Sequence, residues 1–232
     1  MQLKIDNLSK SFGNLKVLED FSICFSQKKI NCIFGPSGCG KSTLVNLMTG
    51  LVPPDKGNTM GTENVSYSYV FQDDRLLPWA TIKENVMFVL ESIYDKKRAE
   101  ELTDKYLSLV NLEDFKDHYP QELSGGMKQR VSIARAFAYG GDILIMDEPF
   151  KGLHLEIKKE IMNYIGNIMH DKLVFLITHD VEEAVYLADS IYIFKGPPLV
   201  LERQIDIDIP FSQRQSNKNE LENIKIKIKN GI

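Results

Sequence analysis

Long hydrophobic runs are missing from this 232-residue chain. A membrane-spanning helix needs roughly 18 apolar residues. The longest apolar stretches here, 143–146 and 173–177, are strand-sized. The opening residues, MQLKIDNLSK, carry no apolar signal core. The expectation is a protein that stays where it is made, at most peripheral on the cytoplasmic face of a membrane. Cysteine is scarce: Cys24, Cys32 and Cys39 are odd in number and lack C-x-x-C spacing. That excludes a zinc site and a disulfide framework, and suits a reducing compartment. A basic excess is also missing, with 28 basic against 32 acidic residues and a net charge of -4. This balance argues against a general nucleic-acid binder. Tryptophan occurs once, at Trp79.

What is present is enough apolar material, 43% of the residues, for one large α/β domain. Strand-like alternation covers 2–8 and 17–25, with a turn at Gly13-Asn14. The run INCIF at 30–34 is followed by a Gly-rich loop and a helix from Lys41 to about Thr49. After Ser124 a helix is expected at 126–139, a strand at 142–147, a helix at 154–170, a strand at 173–178 and a helix at 181–188. Strands separated by helices imply a mainly parallel sheet. Residues 80–118 break this pattern with mostly helical character. The chain therefore divides into a core, 1–72 and 136–232, and a helical insert, 73–135. The tail at 224–230, IKIKIKN, alternates apolar and basic residues and fits either an edge strand or a frayed helix.

Residues 35–43 read GPSGCGKST, the pattern G-x-x-x-x-G-K-[ST] after a strand and before a helix. Gly35, Pro36, Ser37, Gly38, Cys39 and Gly40 form a loop whose backbone N–H groups can turn toward phosphate oxygens. The following helix adds its N-terminal dipole. Lys41 offers an ammonium to the β- and γ-phosphates, Ser42 a hydroxyl to Mg²⁺, and Thr43 a further hydrogen bond. Alone, the loop indicates a nucleotide binder. Cys39, at a helix N-terminus, is expected to fill space, with thiol reactivity as the alternative.

Two further motifs narrow the class. ILIMDEP at 143–149 is an apolar strand that delivers Asp147 and Glu148 to its carboxyl end, where ligands bind in such sheets. Asp147 suits the Mg²⁺ shell and Glu148 the polarisation of an attacking water. LSGGMKQR at 123–130 places Ser124, Gly125 and Gly126 just ahead of a helix, a second terminus open to an anion.

GPSGCGKST, Gln72, LSGGMKQR, ILIMDEP and His179, in this order, resemble the ATP-binding subunit of ABC transporters across nearly the whole chain. The resemblance implies a P-loop ATPase core with a mainly parallel sheet, an antiparallel β edge and a helical insert subdomain. It implies Mg²⁺-dependent ATP hydrolysis and a head-to-tail homodimer, or a paired ATPase subunit. In that dimer Ser124, Gly125 and Gly126 of one subunit cap ATP on the partner's phosphate loop. It further implies a transmembrane permease and, indirectly, an external solute-binding protein. By the same matching, Phe12 stacks on adenine, Gln72 touches Mg²⁺ and senses the permease, and His179 meets the γ-phosphate. Asp180 caps the next helix, with Glu183 three residues on as its capping-box partner. The segment VFQDDRLLPWATIKENV, 70–86, resembles the nitrate, sulfonate and taurine importer branch, and Trp79 within it is expected either near the permease or packed in the insert.

There are two departures from the family pattern. His154 stands where the turn after DEP usually has an acid, preceded by Lys151, Gly152 and Leu153. An imidazole changes charge near neutral pH and a carboxylate does not. Residues 51–71 are short for the family, as though a hairpin were trimmed. Two other classes remain open at this stage. One is a soluble ABC-type ATPase acting on RNA, ribosomes or DNA ends. The other is a module that binds ATP and hydrolyses it poorly.

Overall fold

The computed structural model describes residues 3–25, 29–168 and 172–229. The hairpin of β1 (Leu3–Phe12) and β2 (Leu15–Phe25) turns at Gly13, whose φ of 58° favours glycine. β4 (Lys56–Met60) adds to the other side of β1, giving an antiparallel sheet of order β2-β1-β4. The antiparallel part expected of the fold is present, most of it in this separate sheet. The main sheet has six strands in the order β5-β6-β7-β3-β8-β9. β3 (Ile30–Phe34), β5 (Tyr67–Val70), β6 (Ile143–Asp147), β7 (Leu173–Thr178) and β8 (Ser190–Lys195) run parallel, and β9 (Val200–Asp206) closes the edge antiparallel to β8. The short segment 51–71 holds β4 in one sheet and β5 in the other.

Every residue of β3, β6 and β7 is buried. That fits their unbroken apolar runs, because a parallel sheet is covered on both faces. One face packs on the three-stranded sheet and α1 (Lys41–Met48), with Phe25 edge-on to Phe175 and Tyr192 at centroid distances of 4.9 and 5.0 Å. The other face packs on α2 (Ile82–Met87), α3 (Lys96–Leu109), α4 (Gly125–Tyr139), α5 (Leu155–Ile168), α6 (Val181–Leu187) and α7 (Lys218–Lys229). Ile82, Val86 and Leu107 of the insert belong to the same buried cluster as Val70 and Leu144 of the sheet. The expected division at 135/136 falls inside α4, which packs on β5 as well as on α2 and α3.

The lysine-rich tail is helical: Leu221, Ile224 and Ile228 are buried and Ile226 is exposed. A strand would bury 224, 226 and 228 alike, so the 3.6-residue period prevails over the twofold alternation. Residue 230 of that expectation, and 169–170 of the predicted helix 154–170, lie outside the described residues. Residue 2 of the expected strand 2–8 also lies outside the described residues; the rest of that strand runs on to Phe12, and the region 80–118 is less helical than expected, with turns between α2 and α3.

Candidate functional site

Parallel pairing puts the carboxyl ends of β3, β5, β6 and β7 on one edge of the main sheet. Phe34 pairs with Thr178, Asp147 with Ile177, and Val70 with Met146. Consequently the phosphate loop after β3, Gln72 after β5, Glu148 after β6 and His179 after β7 all open on that edge, where ligands bind in such sheets. Sequence separation is bridged by register alone.

The loop is shaped by close approaches. A Cβ on Gly35 would lie 2.4 Å from the Phe194 carbonyl oxygen, and one on Gly40 2.9 Å from Val17 Cγ1. Both positions therefore exclude a side chain. Pro36, Ser37 and Gly38 are exposed at the tip. Gly40 starts α1 without a side-chain cap, so an anion is a natural partner for the first-turn N–H groups. Lys41 is buried, and its ammonium donates to the carbonyl oxygens of Gly35 and Pro36, both at 2.8 Å. The charge is thereby held directly above the loop. Cys39 is buried beneath it, which answers the question of reactivity in favour of packing.

Ser42 and Asp147 are neighbours. Burial raises the Asp147 carboxyl above its ordinary range, against the downward pull of the Ser42 hydroxyl, and the neighbouring Glu148 charge adds to the rise. A buried carboxylate beside a hydroxyl is an all-oxygen donor pair of the kind Mg²⁺ accepts. Glu148 adopts φ 49°, a left-handed conformation rare outside glycine. Its Oε1 lies 2.6 Å from His179 Nδ1. Gln72 is exposed, two residues beyond β5. Phe12 stands 51% exposed at the end of β1 with the Lys10 ammonium 5.6 Å from its ring centre. The same hairpin touches Gly40 through Val17.

Ser124, Gly125 and Gly126 lie apart from this cluster. Among the described residues no hydrogen bond joins them to the phosphate loop. Ser124 caps α4 by accepting from the Met127 N–H at 3.3 Å. Gly126 is pressed against the turn after β6, where a Cβ would come within 2.8 Å of the Gly152 carbonyl oxygen. His154 is exposed immediately before α5. Asp180 does cap α6, accepting from the Glu182 N–H at 2.8 Å. Glu183 is not its capping-box partner. Its carboxylate turns inward, accepting from Thr178 Oγ1 at 2.6 Å and pairing with Lys158 at 2.6 Å. The Asp180 N–H that a capping box would use is already taken, donating to Thr178 Oγ1 at 3.0 Å.

Three buried or half-buried polar side chains take roles that were not assigned from the sequence, although Gln129 and Asn85 lie inside the segments LSGGMKQR and VFQDDRLLPWATIKENV. Gln129 donates from α4 to the Pro149 carbonyl at 3.1 Å, tying that helix to the segment after Glu148. Arg135 donates to the carbonyls of Asp74 and Arg75, both at 3.0 Å, just beyond Gln72. Asn85, fully buried in α2, accepts from the Leu77 N–H and donates to the carbonyls of Leu77, Ala80 and Thr81. It thereby folds the loop that holds Trp79 in the open, 75% exposed and not packed in the insert. Replacing Asn85 by Ala is expected to cost about 2–4 kcal/mol, because several buried backbone groups lose their partner together. A urea midpoint that moves by less than about 0.5 kcal/mol equivalent would refute this.

Comparison with known proteins gives the same picture. The family described as "ABC transporter" matches residues 18–151. The nitrate import ATP-binding protein of Synechocystis is 37% identical, aligned over 97% of this chain and 89% of its own length. The aliphatic sulfonates import ATP-binding protein of Bacillus cereus is 32% identical over 98% and 94%. Among solved structures, a dimeric ATP-binding cassette bound to ADP and Pi in a post-hydrolysis state superposes with a TM-score of 0.79 at 28% identity, covering 88% of this chain and 98% of that one. On the strength of its sheet, its phosphate loop and these relatives, this chain belongs to the ABC transporter ATP-binding family.

Proposed function

We propose that this chain hydrolyses ATP in a head-to-tail dimer and so drives the permease of an importer for a small anionic solute. The observation that carries the reading is the single sheet edge on which Lys41, Ser42, Asp147, Glu148 and His179 converge, with a second phosphate-type helix terminus at Ser124 set apart from it. A terminus unused by its own loop is explained if it serves the loop of a second copy. Relatives named for the import of nitrate, bicarbonate and sulfonates support the solute class.

In this reading the loop amides and Lys41 bind the β- and γ-phosphates and fix the γ-phosphate for in-line attack. Ser42, Asp147 and Gln72 would hold Mg²⁺, which supplies positive charge to the phosphate oxygens. Glu148 accepts the proton of the attacking water. His179 fixes Glu148 through Nδ1 and faces the γ-phosphate. Phe12 offers its ring to the adenine. Binding of the partner's Ser124, Gly125 and Gly126 closes the site and excludes water.

No described helix is long and apolar enough to cross a membrane; in this reading a separate permease subunit supplies the path and is met from the cytoplasmic face. Its contact surface is assigned to the exposed Trp79 and Phe88; Val89, next to Phe88 in the chain, lines a cleft of about 350 Å³ with Leu51, Tyr69, Phe71 and Arg135. An exposed tryptophan in such a place is typical of a binding anchor. Co-expression with a candidate permease subunit tests it. Trp79→Ala is expected to weaken co-purification about tenfold or more; undiminished recovery of the complex removes this surface from the interface.

A further inference from the structure

His179 is poorly held by its own side chain. The imidazole is 61% exposed and its hydrogen bond is to Glu148. Its position is set instead by the two residues beside it, and both are anchored to the same pair. Thr178 Oγ1 donates to Glu183 Oε2 at 2.6 Å and accepts from the Asp180 N–H at 3.0 Å. Asp180 Oδ2 accepts from Lys158 Nζ at 3.1 Å, and Lys158 Nζ lies 2.6 Å from Glu183 Oε1. Glu183 is only 5% exposed, so both of its oxygens are spent inside this cluster.

Lys158 belongs to the other end of the site. It lies in the first turn of α5, where its backbone N–H donates to the His154 carbonyl at 3.0 Å. Its ammonium also stands 5.8 Å from the centre of the Phe150 ring. Phe150 and His154 bound the turn against which Gly126 packs. One side chain thus stands beside the turn after Glu148 and pairs with Asp180 and with Glu183, the acid that holds Thr178.

We propose that Lys158 and Glu183 are positioning residues, a bridge by which the 150–154 turn sets the place of the His179 imidazole relative to Glu148. When a partner subunit shifts that turn, α5 carries Lys158 with it. The Thr178 and Asp180 side chains are held by Glu183 and Lys158, so the Asp180 side of the segment follows while Thr178 keeps its pairing with Phe34 in the sheet. The bridge rests on the assignment of His179 to the γ-phosphate.

The test uses the full-length protein with Mg-ATP. Lys158→Met is expected to lower kcat about tenfold or more while KM stays within about twofold, since misplacement of a catalytic group by ~1 Å costs up to 10²-fold. Lys158→Arg, which keeps two donors for the two carboxylates, restores most of kcat. Glu183→Gln, which still accepts from Thr178, gives an intermediate loss. In a His179→Ala background Lys158→Met adds nothing further, because both changes remove one function. The ring ¹⁵N signals of His179 shift in Lys158→Met. If the Lys158→Met and His179→Ala losses multiply, or if KM rises in step with a loss of thermal stability, the bridge is a packing feature and the proposal is overturned. If His179→Ala itself turns over at the wild-type rate, it is the γ-phosphate assignment that fails, and with it the bridge's purpose.

Discussion

Glu148→Gln is expected to bind ATP with wild-type affinity and to lower turnover by about 10²–10⁴-fold, the range for loss of a positioned general base. The amide keeps the shape of the carboxylate and an oxygen within reach of His179 Nδ1, now at 2.6 Å from Glu148 Oε1. It lacks the charge that draws a proton from water. Because Glu148 already occupies a left-handed backbone position, φ 49°, an isosteric change adds no new strain there. If dimer opening follows hydrolysis, the variant accumulates as an ATP-bound dimer. Calorimetry, phosphate release and light scattering with ATP measure the three quantities. A variant that stays monomeric when saturated with ATP, or that keeps wild-type turnover, refutes the assignment of Glu148.

Ser124→Arg and Lys41→Ala are each expected to abolish turnover, for different reasons, and to rescue one another when mixed. Lys41→Ala removes the ammonium now held above the loop by the Gly35 and Pro36 carbonyls, so its own ATP affinity falls. Ser124→Arg leaves that loop untouched and blocks the terminus of α4, so the isolated subunit still binds ATP. It also loses the cap to the Met127 N–H, worth about 1 kcal/mol, which thermal unfolding reads separately. In a mixed twofold dimer both lesions fall in one site and the other is whole, so equal mixing returns about a quarter of wild-type turnover. Mixtures as inactive as either parent overturn independent, shared sites.

Much of the site was legible because its parts are local. GPSGCGKST announces its loop through glycines that the backbone needs: Phe194 and Val17 leave no room for a Cβ at Gly35 or Gly40. The runs INCIF and ILIMD read as buried strands, and they are. What escaped was non-local. Which sheet β4 joins depends on pairing with β1, far back in the chain, and no short-range pattern encodes it. The tail was ambiguous because I-K-I-K-I-K satisfies two periods until packing against α6 selects one. Glu183 has the spacing of a capping box, and only the location of Lys158 on another helix explains why it turns inward. Gln129 and Arg135 belong to the same class: single polar residues whose partners are 20 or 60 residues away in sequence.

Those last two contacts give α4 a mechanical character. Its amino end lies against Gly152, Gln129 is fixed to Pro149, and Arg135 grips the carbonyls of Asp74 and Arg75. From Ser124 to Arg135 the rod measures roughly 16 Å at 1.5 Å per residue. If Trp79 meets a permease as proposed, a push on its loop enters α4 near Arg135, and the helical hydrogen bonds between there and Ser124 resist compression. On that proposal the stiffness of the rod bears on how a movement of the permease reaches the phosphate. A glycine introduced at Ala134 would be felt as lost transmission before it was felt as lost fold.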